Sequence, residues 1–180
     1  VEFSGGRLAM LLIDHPEPPD AAFSPVARAL LAARPHLRSA TPRDVVSRVA
    51  AAESRCRVVA ACWERDDVLL AASGAPLPRL FRGGSPLAVA AEDRAAIHTA
   101  RAATVPGDLL LLASSGLSAL QLPGESPGEE ELAANFARAC EGQSLPAAFA
   151  RMVSEWKKAG GAPEGRDLLM LAARRELPPH

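Results

Sequence analysis

The sequence predicts an α+β sandwich, a fold in which helices and strands are segregated along the chain instead of alternating. Three observations predict it. Secondary-structure signals run in the order strand, two helices, a group of strands, two helices, a last strand. The middle strands are short and include a pair joined by a connection of hairpin length. At 180 residues, 48% hydrophobic and 23% charged, the chain has the length and composition of one compact domain with a sizeable core.

Residues 8–13 are a continuous apolar run after Gly5-Gly6, the pattern of a strand buried on both faces, and it ends at Asp14. In His15-Pro16-Glu17-Pro18-Pro19-Asp20 each proline removes a donor and pushes its predecessor toward extended geometry, which predicts a stiff loop and no helix. Ser24-Pro25 then offers an N-cap and a first-turn proline, and Val26, Leu30 and Leu31 supply one apolar face through Ala33. Thr41-Pro42-Arg43-Asp44 repeats the cap signal and opens a second helix over residues 45–52. Residues 57–63 and 68–73 form a hairpin around Glu64-Arg65-Asp66-Asp67. Pro76, Pro78, Gly83-Gly84 and Pro86 leave room for short strands at residues 79–81 and 87–90, and a further strand runs over 96–102.

Residues 109–113 make the clearest strand, entered by Pro106-Gly107-Asp108 and stopped by Ser114-Ser115-Gly116. After a Pro/Gly loop at 121–128, Glu129-Glu130-Glu131 complements the dipole of a helix that carries Leu132, Phe136 and Cys140. Ser144 caps another, with Leu145, Ala148, Phe149, Met152, Val153 and Trp156 on one side, and Gly160-Gly161 ends it. A final strand spans residues 167–173. The chain starts at Val1, without a methionine and already in a strand context, as a piece of a longer polypeptide would.

Charge and cysteine usage exclude several classes. A formal net charge of −1, from 20 basic and 21 acidic residues, gives no field to hold nucleic acid or an acidic membrane. The apolar runs fall far short of the roughly 20 residues of a membrane helix. Neither nucleic acid nor a membrane is expected as a partner. Cys56, Cys62 and Cys140 match no zinc spacing and no secretory signal precedes them, so they read as reduced, buried thiols of a cytoplasmic protein. His15, His36, His98 and His180 have no partners at a zinc or triad spacing, and Ser114-Ser115 lacks the Gly-x-Ser-x-Gly context of a nucleophile. Gly5-Gly6 and Gly83-Gly84 read as turns, Trp63 as sheet core, Trp156 as part of a core stripe with Phe149 and Met152, and Arg174-Arg175 as a solvated strand end.

Four local patterns carry a more specific message. An apolar strand ends on Asp14 and leads through a loop to a helix; Ala72-Ser73-Gly74-Ala75-Pro76 closes a paired strand; Pro106-Gly107-Asp108 runs through the leucine strand into Ser115-Gly116-Leu117; Gly165-Arg166-Asp167 enters the last strand. In this order, over nearly the whole chain, they resemble the metal-dependent Ser/Thr protein phosphatase family, especially its small bacterial sporulation-type and stress-regulator branch. That family has an Asp-Gly turn, an "AGHPP" turn, a "PGD" leading to an apolar strand and "(S/T)DG(L/V)", and a "DD" or "DN" at the last strand. The resemblance implies an α-β-β-α sandwich of two mainly antiparallel sheets flanked by helices. It also implies two Mg²⁺ or Mn²⁺ ions held by carboxylates, with a bridging hydroxide attacking phosphoserine or phosphothreonine.

The same resemblance exposes departures. Asp14 matches a metal ligand, but His15 replaces the glycine beside it; Ser115 stands at a second ligand position; Arg166 falls where the first acidic residue belongs, leaving Asp167 one place late unless the alignment slips by one. The earlier Gly-Asp ligand of the family lies before Val1 or is lost. Hard dications need anionic oxygens, a hydroxyl is a weak substitute, and a guanidinium adds repulsion. The expectation is a pseudophosphatase: the fold retained without metal, acting by protein contacts on a kinase, an anti-sigma-type switch or a scaffold. The alternatives are an active Mn²⁺/Mg²⁺ phosphatase with an unusual ligand set, or a structural domain. Read without the resemblance, Asp14 is a cap for the loop that follows it, and Asp108 is a turn former rather than a ligand. Oligomeric state is left open.

Overall fold

The computed structural model describes residues 2–3, 7–16, 19–36, 39–94, 96–114, 129–158 and 169–176, excepting the side chains of 2–3, 19–23, 93–95, 129 and 156–157. Its elements are β1 (Glu2–Phe3), β2 (Arg7–Asp14), α1 (Pro19–Ala33), a 3-10 turn (Arg34–His36), α2 (Pro42–Ala52), β3 (Arg57–Glu64), β4 (Asp67–Ser73), β5 (Arg79–Arg82), β6 (Ser85–Pro86), β7 (Ala91–Arg94), β8 (Ile97–Ala103), β9 (Leu109–Ala113), α3 (Glu129–Ala139), α4 (Leu145–Lys158) and β10 (Met170–Arg175). The class is α+β, as expected. The chain divides into two units, one from Gly5–Pro78 with Val89–Val105, the other from Val1–Ser4, Arg79–Ala88 and Pro106–His180.

The first unit is an antiparallel sheet in the order β2-β3-β4-β8-β7 with α1 and α2. On the helix side, Ile13, Val58, Ala60 and Ala71 meet Ala29 and Ala33 of α1 and Val45, Val46 and Val49 of α2. The other side of the same strands carries Met10, Leu12, Val59, Ala61, Trp63, Leu70 and Ala72, which are buried as well. Burial on both sides explains why these strands read as unbroken apolar runs and not as an alternation. Helix α2 begins as the sequence requires: Thr41 accepts from the Asp44 amide and the Asp44 carboxylate accepts from the Thr41 amide. The β3–β4 hairpin is tied down by Trp63, whose indole N–H donates to Thr104 Oγ1 at 2.7 Å, and by the Asp66 carbonyl, which accepts from the Thr104 amide.

Helix α1 departs from expectation. It starts at Pro19, so the loop ends before that residue and Ser24-Pro25 lies inside the helix. A proline at the first helical position sacrifices an amide that has no intrahelical acceptor anyway, so Pro19 is tolerated there. Pro25 does cost an internal bond.

The second unit is a sheet in the order β1-β10-β9-β5-β6, antiparallel except where β1 runs parallel to β10. Phe81, Leu109, Leu111 and Ala172 pack against Ala133, Phe136 and Ala137 of α3 and Leu145 and Ala148 of α4, and the Phe136 and Phe149 rings lie 4.7 Å apart. On the other side Leu80, Leu110, Leu112 and Ala173 are buried. Each buried leucine contributes about 1.5–3 kcal/mol relative to an exposed one, so β9 is the best-anchored strand of this unit. Ser144 caps α4 by accepting from the Ala147 amide.

Residues 87–90, expected as a strand, are not one; β6 and β7 flank them instead. Gly83 and Gly84, at φ +52 and +66, close a two-residue turn that starts β6 at Ser85, and the chain passes from one unit to the other at residues 88–89. One ladder-like bond carries on past β6, from the Leu87 amide to the Leu80 carbonyl at 2.8 Å. The last strand begins at Met170 and runs on to Arg175, with residue 167 outside the described residues. Among the described residues no helix is long and apolar enough to cross a membrane.

Candidate functional site

Asp14 is the last residue of β2, and the register sets it opposite Arg57, the first residue of β3. Arg57 Nη1 lies 3.9 Å from Asp14 Oδ2, with the carboxylate side chain 19% exposed and the arginine 39%. The stem of Arg57 passes over Gly74, whose missing Cβ would sit 3.6 Å from Arg57 Cγ and whose φ is +66. Two of the four sequence patterns, the Asp14 turn and the Gly74 turn, are thus brought to the same end of one sheet with an arginine between them. His15 follows Asp14 into a buried position.

Among the described residues, the charges near this end include Arg28, Arg55 and Arg57. Glu53, at the C-cap of α2, receives a hydrogen bond from Arg28 Nη2 at 2.7 Å and has Arg55 3.8 Å away. That bond from Arg28 holds the Glu53 carboxyl below its usual range. The Cys56 thiol is pushed up by burial first and by the negative charges of Glu53 and Asp14 after it.

In the other unit, β9 is bounded by Asp108 before it and Ser114 after it. Ser114 is buried and locked to Leu169: its amide donates to the Leu169 carbonyl at 2.9 Å, and its hydroxyl accepts from the Leu169 amide at 3.0 Å. The described residues stop there, so Ser115, Arg166 and Asp167 lie outside them. Of the candidate ligand positions Asp14, Ser115 and Asp167, the structure therefore places Asp14. Among the described residues no three His, Cys, Asp or Glu side chains gather as a metal site would require.

Asp108 is fully buried and takes two hydrogen bonds from Arg82, Nε to Oδ1 and Nη2 to Oδ2, each 2.8 Å. It is a buried anchor as well as a turn residue. Arg174 also differs from its reading as a solvated strand end, because Nη1 donates to the Cys140 carbonyl at 3.0 Å and the Gln143 carbonyl at 2.8 Å. A cation at the C-terminus of α3 satisfies carbonyls the helix leaves open. A cavity of about 720 Å³ opens here, lined by Arg82, Arg174 and Arg175 and by Asp108, Glu141 and Glu176, equal numbers of opposite charges that select no ligand by sign.

No protein family matches the sequence, and no curated protein does. Solved structures do match. The RsbU and RsbW domains of Rv1364c from Mycobacterium tuberculosis superpose with a TM-score of 0.75 at 15% identity, covering 98% of this chain and 54% of that one. The SiaA-PP2C domain of Pseudomonas aeruginosa gives 0.69 at 15% identity over 96% and 81% of the two chains. The phosphatase domain of the cell-fate determinant SpoIIE from Bacillus subtilis gives 0.56 at 10% identity over 92% and 78%. The chain has the PP2C/SpoIIE-type phosphatase fold. It spans about half the length of the RsbU–RsbW chain. At these identities the PP2C/SpoIIE likeness establishes architecture, and what the domain does chemically is argued from its own residues.

Arg57, Arg82 and Arg174 were all missed as partners in the sequence reading. Each is an arginine whose acceptor lies on another element, so only β-rich flanking residues signalled anything there, and they signalled strand.

Proposed function

We propose that this chain is a phosphatase-like regulatory domain, catalytically impaired, which works in bacterial signalling through contact with a protein partner. The observation that supports this most is the pairing of Asp14 with Arg57. Two divalent cations bring four positive charges and need several carboxylates to neutralise them. Here the one carboxylate that resembles a ligand and has a described position faces a guanidinium. At an effective dielectric near 20, each added positive charge about 4 Å from that guanidinium meets about 4 kcal/mol of repulsion. By sequence, Ser115 offers a neutral hydroxyl and Arg166 a further cation. These residues do not fit a two-metal centre.

The partner class is a kinase, an anti-sigma-type switch or a scaffold, in line with a fold found in a chain that joins RsbU and RsbW domains. Three free, buried cysteines suit a cytoplasmic setting. Titration calorimetry with Mn²⁺, paired with turnover of a phosphoserine peptide, tests the reading. Neither two-ion binding nor turnover above blank is expected. Tight binding of two ions, or turnover, would instead establish the active Mn²⁺/Mg²⁺ phosphatase.

A further inference from the structure

We propose that Arg57 is a built-in replacement for a bound cation: its guanidinium pairs with Asp14 at the end of β2, so this carboxylate has a cationic partner from its own sheet. The inference rests on the preceding reading and gives it a physical cause. The β2–β3 register makes Asp14 and Arg57 direct cross-strand neighbours, and opposite charges so placed stabilise the pair. The arginine stem is held against the bare backbone of Gly74, with Cγ and Cα of Arg57 at 3.6 and 3.7 Å from where a Cβ would stand. Glu53, at the C-cap of α2, has its own arginines in Arg28 and Arg55. Asp14 and Glu53 are therefore each met by arginine from within the same unit.

An internal cation makes a metal unnecessary and also repels one. Removing it should leave Asp14 able to recruit a dication, and that gain should vanish when Asp14 is also neutralised. The test is thermal unfolding of the full chain with Mn²⁺ as the probe, on wild type, Arg57→Gln, Asp14→Asn and the double variant. Wild type is expected to be indifferent to Mn²⁺. Arg57→Gln should gain about 3 °C once Mn²⁺ stands about tenfold above its dissociation constant, and the double variant should gain nothing. Arg57→Met, which keeps the stem over Gly74, repeats the experiment should the glutamine variant fold poorly. Two outcomes are separable. A silent wild type with equally silent Arg57 variants, or a Mn²⁺ gain that survives Asp14→Asn, overturns this inference and leaves the pseudophosphatase reading standing. A wild type stabilised by Mn²⁺ through Asp14 overturns the reading itself.

Discussion

At Asp108 a carboxylate is wholly removed from water, and Arg82, 46% exposed, supplies both of the hydrogen bonds that face it from β5. The two partners are not equivalent. Loss of Asp108 lets Arg82 turn to solvent, whereas loss of Arg82 leaves a carboxylate buried without its guanidinium. Removing one partner of a buried charge costs far more than breaking a surface ion pair, which is worth under about 1 kcal/mol. Arg82→Ala should therefore lower the urea midpoint by clearly more than Arg151→Ala does, which breaks the exposed pair with Glu155. Equal shifts in the two variants would place the Arg82–Asp108 pair among ordinary surface contacts.

The β5–β6 hairpin shows how an element depends on one residue type. Gly83 and Gly84 both take left-handed backbone, and the Gly84 position is crowded: a Cβ there would lie 2.8 Å from Arg138 Cγ and 3.1 Å from Glu141 Oε1 on the α3 side. Gly107, at φ +95, has nothing within 4 Å of the same point. Both positions resist a side chain through backbone strain, but Gly84 adds a steric term. Gly84→Ala is expected to cost about 1–3 kcal/mol and Gly107→Ala clearly less, as urea midpoints of the two variants would show. Equal losses would mean that Arg138 swings aside freely and that the close approach of α3 to the hairpin contributes nothing.

Across the whole molecule, all three cysteines are buried and free, and burial raises the pKa of each thiol. Cys140 is pushed up to about 11 by burial, against an opposing pull from Arg174, compared with 9.0 for an unperturbed thiol. A raised folded-state value means that folding favours the protonated form. The contribution is fully present below about pH 9 and is lost as pH climbs through the folded value near 11. Stability followed by urea unfolding between pH 8 and 11 should fall in that window, and Cys140→Ala should fall less steeply than wild type. A parallel decline in the two proteins would assign the loss to other groups.

What the sequence by itself determined is what local patterning can encode. The Thr41/Asp44 capping box starts α2, the leucine run Leu109–Ala113 is a strand bounded as read, and the polar connection read at residues 64–67 does join β3 to β4, although Glu64 and Asp67 belong to the strands and Arg65 and Asp66 alone make the turn. The segregated order of elements was enough for the α+β class, and the four motifs in order led to the PP2C/SpoIIE-type fold that the solved structures share. That residue 115 is a serine, with a neutral hydroxyl, also needed no coordinates. Tertiary structure decided the partners. That Asp14 faces Arg57, that Arg82 reaches Asp108 26 residues away, and that Arg174 caps α3 all depend on register and packing between elements distant in sequence. A slip of one residue in a strand pair would turn each of these side chains to the opposite face. Local periodicity is nearly indifferent to such a slip; the buried layers on both sides of each sheet are not, and they select the register that brings each charge to its partner.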